Sequence, residues 1–286
     1  MRFAVALFTL ILLAPSPSLG AVKFAWPSPV TADVKLEIEG ERGDVTWKAS
    51  TSYKLTVESS GDVIRITRGE AVPWTGKGTG APVDRMIDLV PTIRVSRSGE
   101  FLGIEGAEVA AARAKKVLAK EMPEAAIATL TSEAGLTAMQ KDFWLMLVEG
   151  WTAFDPEEGE VVELTNTITV PQLGGGRLDL LLEVRRSAPK ACDASDSSNR
   201  CVEFLLASRP DKTQVEKILA GVDIPLRAYD IQQEVHVLTD PTTLLPYRVV
   251  FSRSMKAAEK AAGSLPISEE ATRTYTFRWT VAEPAR

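Results

Sequence analysis

The sequence predicts an α+β protein, mainly antiparallel β: one large curved sheet, a half-barrel, with an inserted helical block (106–154) packed on its concave face. Three observations predict it. Apolar and polar residues alternate in pieces of strand length along most of the chain. One long segment, 106–154, departs from that alternation into helical spacing. About a dozen strands come in runs, with the block between the sixth and seventh and a single short helix late, an order that excludes alternating parallel βαβ units. A sheet that long curls and gains a hollow side, and the helical block is large enough to fill or roof it.

The chain opens with Met1-Arg2, a twelve-residue apolar run (3–14), then Pro-Ser-Pro-Ser-Leu-Gly-Ala. That is the order of parts in a secretory signal peptide, with cleavage expected after Gly20. The run is short of the roughly 20 residues a membrane-spanning helix requires, and no later stretch is long and apolar enough to span. Residues 21–286 are then expected as a single periplasmic or secreted domain. Loss of Arg2 leaves 32 basic residues against 38 acidic, a formal charge of −6. An acidic balance of this kind argues against nucleic acid as a partner.

Pro27 and Pro29 keep the lead-in out of a helix. Alternation then begins: Val34, Leu36 and Ile38 share one face, followed by Val45, Trp47 and Ala49, by Tyr53, Leu55 and Val57, and by Ile64 and Ile66. Breaks at 40–43, 50–52 and Gly61 cut the run into an antiparallel meander with one wet and one dry face. Residues 69–82, with Gly-Lys-Gly-Thr-Gly at 76–80, read as a flexible connection. A phosphate loop fails there, because Ala71 and Gly78 stand where Gly and Ser or Thr are needed. Runs 86–95 and 101–104 flank a hairpin turn at 97–100.

The block has three pieces: an alanine-rich one (106–121), one beginning at Pro123 and one beginning at Ser132. In the third, Leu136, Met139, Phe143, Leu147 and Trp151 fall on one face, with Gln140, Lys141 and Glu149 elsewhere. Phe143, Trp144, Leu147 and Trp151 are the candidate ligand-binding residues, in a lid over a cavity; the alternative is simple packing onto the sheet. Strands resume at 162–170, 178–186 and 201–207. Residues 210–220 form a short helix with Gly221 past its end, and long strands at 228–239, 245–255 and 272–281 close the chain. Residues 256–270 are expected as a short helical or mobile arm.

The two cysteines, Cys192 and Cys201, read as one disulfide closing a polar loop in an oxidising compartment; a redox pair usually has two intervening residues at a helix start. His236, the lone histidine, lies on a strand beside Glu234, and no Gly-x-Ser-x-Gly elbow is present. The count excludes a zinc site of several histidines. Acidic residues at 155–160 and Asp193 with Asp196 lack the spacing of a calcium loop. A convergent carboxylate pair for glycoside hydrolysis remains open in sequence. No catalytic set, metal or cofactor emerges, and the expectation is a non-catalytic protein.

Residues 238–249, Leu-Thr-Asp-Pro-Thr-Thr-Leu-Leu-Pro-Tyr-Arg-Val, combine a strand, an Asp-Pro-Thr turn and a Leu-Pro entry into the returning strand. This segment resembles periplasmic carriers of the lipoprotein-localisation type and their mycobacterial lipid-binding relatives, and the layout of meander, helical insert and long returning strands is similar too. The resemblance implies a half-barrel with helices over an apolar cavity that holds acyl chains. The leading expectation is therefore an exported protein holding a lipid or other apolar molecule between sheet and helices. The second is a structural or envelope-assembly module with a packed core, whose partner is another envelope protein.

Overall fold

The structure is a computed structural model that describes residues 23–77, 90, 92–119, 124–154, 156–170, 176–193, 196–221, 226–260 and 267–281. The expected signal segment (1–20), the Gly-rich run after Lys77, Pro123, Asp155 and the side chains of Asp193 and Asp196 lie outside the described residues.

The first described strand lies in the middle of the sheet. Strands β1 (Val30–Arg42), β2 (Val45–Ser60), β3 (Val63–Arg68), β4 (Thr75–Lys77), β5 (Thr92–Ser96) and β6 (Phe101–Glu105) step outward to one edge. A helical block follows: α1 (Ala107–Leu118), α2 (Glu124–Leu130), α3 (Glu133–Trp144), a π-turn (Leu145–Glu149) and α4 (Gly150–Phe154). The next strand, β7 (Val161–Val170), lies at the opposite edge. From there β8 (Gly176–Arg186), β9 (Lys190–Asp193), β10 (Asp196–Pro210), α5 (Lys212–Gly221), β11 (Leu226–Thr239), β12 (Pro246–Glu259) and β13 (Ile267–Val281) step back to the middle. There β13 pairs antiparallel with β1 along its whole length, Val30 opposite Val281 through Arg42 opposite Glu269. The full order is β6-β5-β3-β2-β1-β13-β12-β11-β10-β8-β7, with β4 on β2 and β9 on β10. Because β6 and β7 are opposite edges, the block that links them has to cross a face of the sheet.

The sheet is curved. β3 and β12 are four strand steps apart, about 19 Å along a flat sheet. Yet Arg68 of β3 places its guanidinium carbon 5.2 Å from the centre of the Phe143 ring, while Phe251 of β12 lies 5.9 Å from the same ring. The inner face is continuous core: Val34, Leu36, Leu55, Val57, Ile66, Phe204, Val237 and Tyr275 are all buried and belong to one cluster with the helix residues Phe143, Trp144, Leu147, Val148 and Trp151.

Five expectations need correction. No break falls at 50–52, since β2 runs on from Val45 to Ser60, and Gly221 is the last residue of α5 rather than the one past its end. Residues 69–82 contain strand β4, paired with Lys48 to Ser50 of β2. The arm at 256–270 is strand at both described ends, since β12 runs to Glu259 and β13 starts at Ile267 and the two pair down to Ala257 opposite Ile267. Its Ala-rich composition favours helix, and the hydrogen-bond partners offered by two long neighbouring strands override that preference. The segment between the cysteines is a hairpin of β9 and β10 rather than a loop, and within it Cys192 and Cys201 are disulfide-bonded with Cα atoms 4.9 Å apart.

Candidate ligand site on the inner face of the sheet

Ser132 caps α3 as its position suggests, its hydroxyl accepting from the Gly135 amide at 3.0 Å. The stripe that begins there serves two partners. Leu136 and Met139 pack with Ala110, Ala114 and Leu118 of α1, Ile127 of α2 and Val90. Phe143 onward packs on the sheet. Within the second half the π-turn inserts one extra residue, with the Gly150 amide donating to the Leu145 carbonyl, and Leu147, Val148 and Trp151 all turn inward. Gln140, which falls off the apolar stripe, is completely buried.

All four candidate residues are buried, at 5% exposure for Phe143, 1% for Trp144, 5% for Leu147 and 2% for Trp151. Trp151 stacks on Phe204 of β10 with ring centres 5.3 Å apart. Phe143 meets Phe251 and Tyr275. Trp144 faces one end of the half-barrel, where it touches Phe24 and Trp26 edge-on, and Trp26 in turn touches Trp279. Packing onto the sheet is thus what these side chains do in the structure.

That end is closed by hydrogen bonds as well as by area. The Trp144 indole donates to the Gly99 carbonyl (2.6 Å), Trp26 to Leu244 (2.9 Å) and Trp279 to Pro246 (2.6 Å). One of these carbonyls lies in the β5–β6 turn and the other two at the entry to β12, so each indole N–H is satisfied and the plug costs little in desolvation. Gly99, at φ 89°, is required here because a Cβ would collide with the Phe24 ring. The Asp-Pro-Thr turn docks the lead-in: the Asp240 carboxylate accepts from the Thr242 and Thr243 amides, and the Thr243 carbonyl accepts from the Ala25 amide at 3.1 Å. Trp26, which strand periodicity leaves without a role, is the centre of this plug.

Away from the plug the inner face is less covered. Phe251 and Met255 of β12 are only half-buried, as is Met146 of the π-turn. Between the first two lies Arg253, which pairs with Glu269 of β13; Arg42 lies 3.8 Å from the same carboxylate. Glu269 is 5% exposed, so this is a buried anion held by two cations. Trp47 covers Gly40 here, where a Cβ would strike the indole and the Glu270 backbone. The strand pattern Val249, Phe251, Arg253, Met255 carries the signal for this set, but a helix-centred search for aromatic residues passes over it.

Burial shifts three ionisable groups around the site. Asp142 is pushed up to about 7 by desolvation, with Lys141 opposing. Glu149, which accepts from the Phe101 amide at 2.7 Å, is raised chiefly by burial. The Tyr229 hydroxyl is pushed up to about 12 by burial and remains a neutral donor.

The outer face has a different character. His236 lies there with ring nitrogens 3.6 Å from Glu203 and Glu234. Two grooves of about 350 and 370 Å³ run beside β4 and are lined by Lys48, Ser50, Thr75, Thr276 and Arg278 among others. Among the described residues no group of three or more His, Cys, Asp or Glu side chains converges as a metal site. No helix among them is long and apolar enough to cross a membrane.

No family model matches the chain, and no curated protein sequence matches it. Among solved structures it is similar to one titled "lipid-protein interactions in lipovitellin", at 10% sequence identity and a TM-score of 0.41. The likeness covers 91% of this chain but only 26% of that one. At that score it carries no argument about ligand or mechanism, and membership of the lipoprotein-carrier family is not shown.

Proposed function

We propose that this is an exported, non-catalytic binding protein that holds a lipid or other apolar molecule between its curved sheet and its helical block. One observation carries the reading. Met146, Phe251 and Met255 are half-buried beside the fully packed Phe143 and Leu147. A hollow of apolar side chains with a few polar groups at its margin is how small-molecule sites are generally built. Phe143 and Leu147 then form the wall of the site, whereas Trp144 and Trp151 hold the wall in place. The disulfide supports an oxidising compartment, consistent with export to the periplasm or beyond.

Native mass spectrometry of the chain purified from its own compartment tests the reading. The expected result is a stoichiometric apolar adduct that organic extraction removes. Repeated absence of an adduct, together with no uptake of a fluorescent acyl probe, leaves the packed envelope-assembly module as the better account.

A further inference from the structure

The charges on the inner face are unlike those of the chain as a whole. The sequence is acidic, with a formal charge of −5. Pairing register, however, puts Arg42, Arg68, Arg186, Arg253 and Arg273 on the inner side of their strands, against Glu259 and Glu269. The covering helix adds two carboxyls, Asp142, which burial pushes up to about 7, and Glu149, which burial also raises and which accepts from the Phe101 amide. Three of the five, Arg42, Arg253 and Arg273, lie toward the less covered end: Arg253 stands between half-buried Phe251 and Met255 on β12, and Arg273 of β13 is the register partner of Phe251. Glu269 is shared by Arg253 and Arg42, so the cluster retains net positive charge, and the Nε of Arg253 is buried with no hydrogen-bond partner. Guanidinium is the side chain best matched to a carboxylate or phosphate, since its donors form a planar fork.

Building on the binding reading above, we propose that the occupant of the inner face is an anionic amphiphile, its carboxylate or phosphate head held at Arg253 and Arg273 and its acyl chain lying along Phe251, Met255 and Phe143. The apolar neighbours give an acyl chain a place out of water, and the arginines give the head a place that a neutral ester or alcohol cannot use as well. Desolvated donors with fixed positions discriminate strongly between a charged acceptor and its neutral analogue.

The test is a fluorescence titration of the purified protein with cis-parinaric acid and with its methyl ester, and a displacement titration with a lysophosphatidic acid and the matching monoacylglycerol. The expected result is that at least one charged ligand binds about tenfold or more tightly than its neutral partner, as one charge-assisted hydrogen bond supplies. Whichever pair shows the difference identifies the head as carboxylate or phosphate. In R253Q/E269Q, which removes the ion pair without leaving a buried charge alone, that preference is expected to fall to about twofold or less while the neutral ligand binds as before. R273Q, which leaves the pair intact, is expected to reduce the preference in part and guards against loss of fold in the double variant. Equal binding of charged and neutral ligands, or a preference that survives both variants, overturns the anionic assignment and leaves the binding function standing. Binding of neither member of either pair overturns both.

Discussion

The two ends of the inner face are made of similar residue types and differ in how they are finished. At one end Trp26, Trp144 and Trp279 fill the mouth of the half-barrel, and the indole N–H of each is bonded to a backbone carbonyl. At the other, Phe251 and Met255 stay half-buried around Arg253. An aromatic residue whose polar atom is satisfied and whose ring is enclosed has been committed to stability. An apolar residue left partly open beside an arginine has not, and that contrast locates binding away from the densest aromatic cluster.

The largest expected break in the comparison is Trp144→Ala. It removes the side chain that joins the helical block to the plug and leaves a cavity, which costs about 3 to 5 kcal/mol; urea unfolding should show the loss as a lower midpoint. A mild effect of under about 1 kcal/mol would mean that the closed end is not a structural keystone.

A second test uses the carboxyl within the roof. Asp142 is held up to about 7 by burial, against an ordinary 3.8. Between those values the folded chain keeps a proton that the unfolded chain has released, so stability falls as pH rises through this window, by at most about 1.4 kcal/mol per pH unit from this group. Above about 7 the cost is fully present, and below the ordinary value it vanishes. Unfolding midpoints measured from pH 4 to 8 should therefore slope less in Asp142→Asn than in the wild type. Parallel slopes would place Asp142 in water.

The smallest stability effect is expected at the open end. Met255→Ala should cost about 1 kcal/mol, because only part of its side chain is out of water, yet it should weaken uptake of an acyl probe more than Trp144-distant surface changes do. Loss of stability without loss of binding would put Met255 in the core and the ligand elsewhere.

Much of the architecture was legible because it rests on period and count. Alternation at Val34, Leu36 and Ile38 reports a strand with one buried face, and helical spacing at Phe143, Leu147 and Trp151 reports the face that meets the sheet. What sequence left unread depends on pairs that meet only in three dimensions. The plug needs Trp26 and Trp279, which lie at opposite ends of the chain and come together because β1 and β13 pair. The inward turn of Val148 follows from the π-turn, which no spacing rule announces. Arg253 and Arg42 reach Glu269 across neighbouring strands, so the charged part of the candidate site emerged only once the register was known.

Photo-crosslinking with a diazirine-bearing acyl probe, mapped by peptide mass spectrometry, addresses the central claim most directly. Adducts on β12 between Phe251 and Met255 and on the helix between Phe143 and Leu147 are the predicted result. Adducts confined to the outer face, or none that exceed those on the unfolded chain, would contradict it.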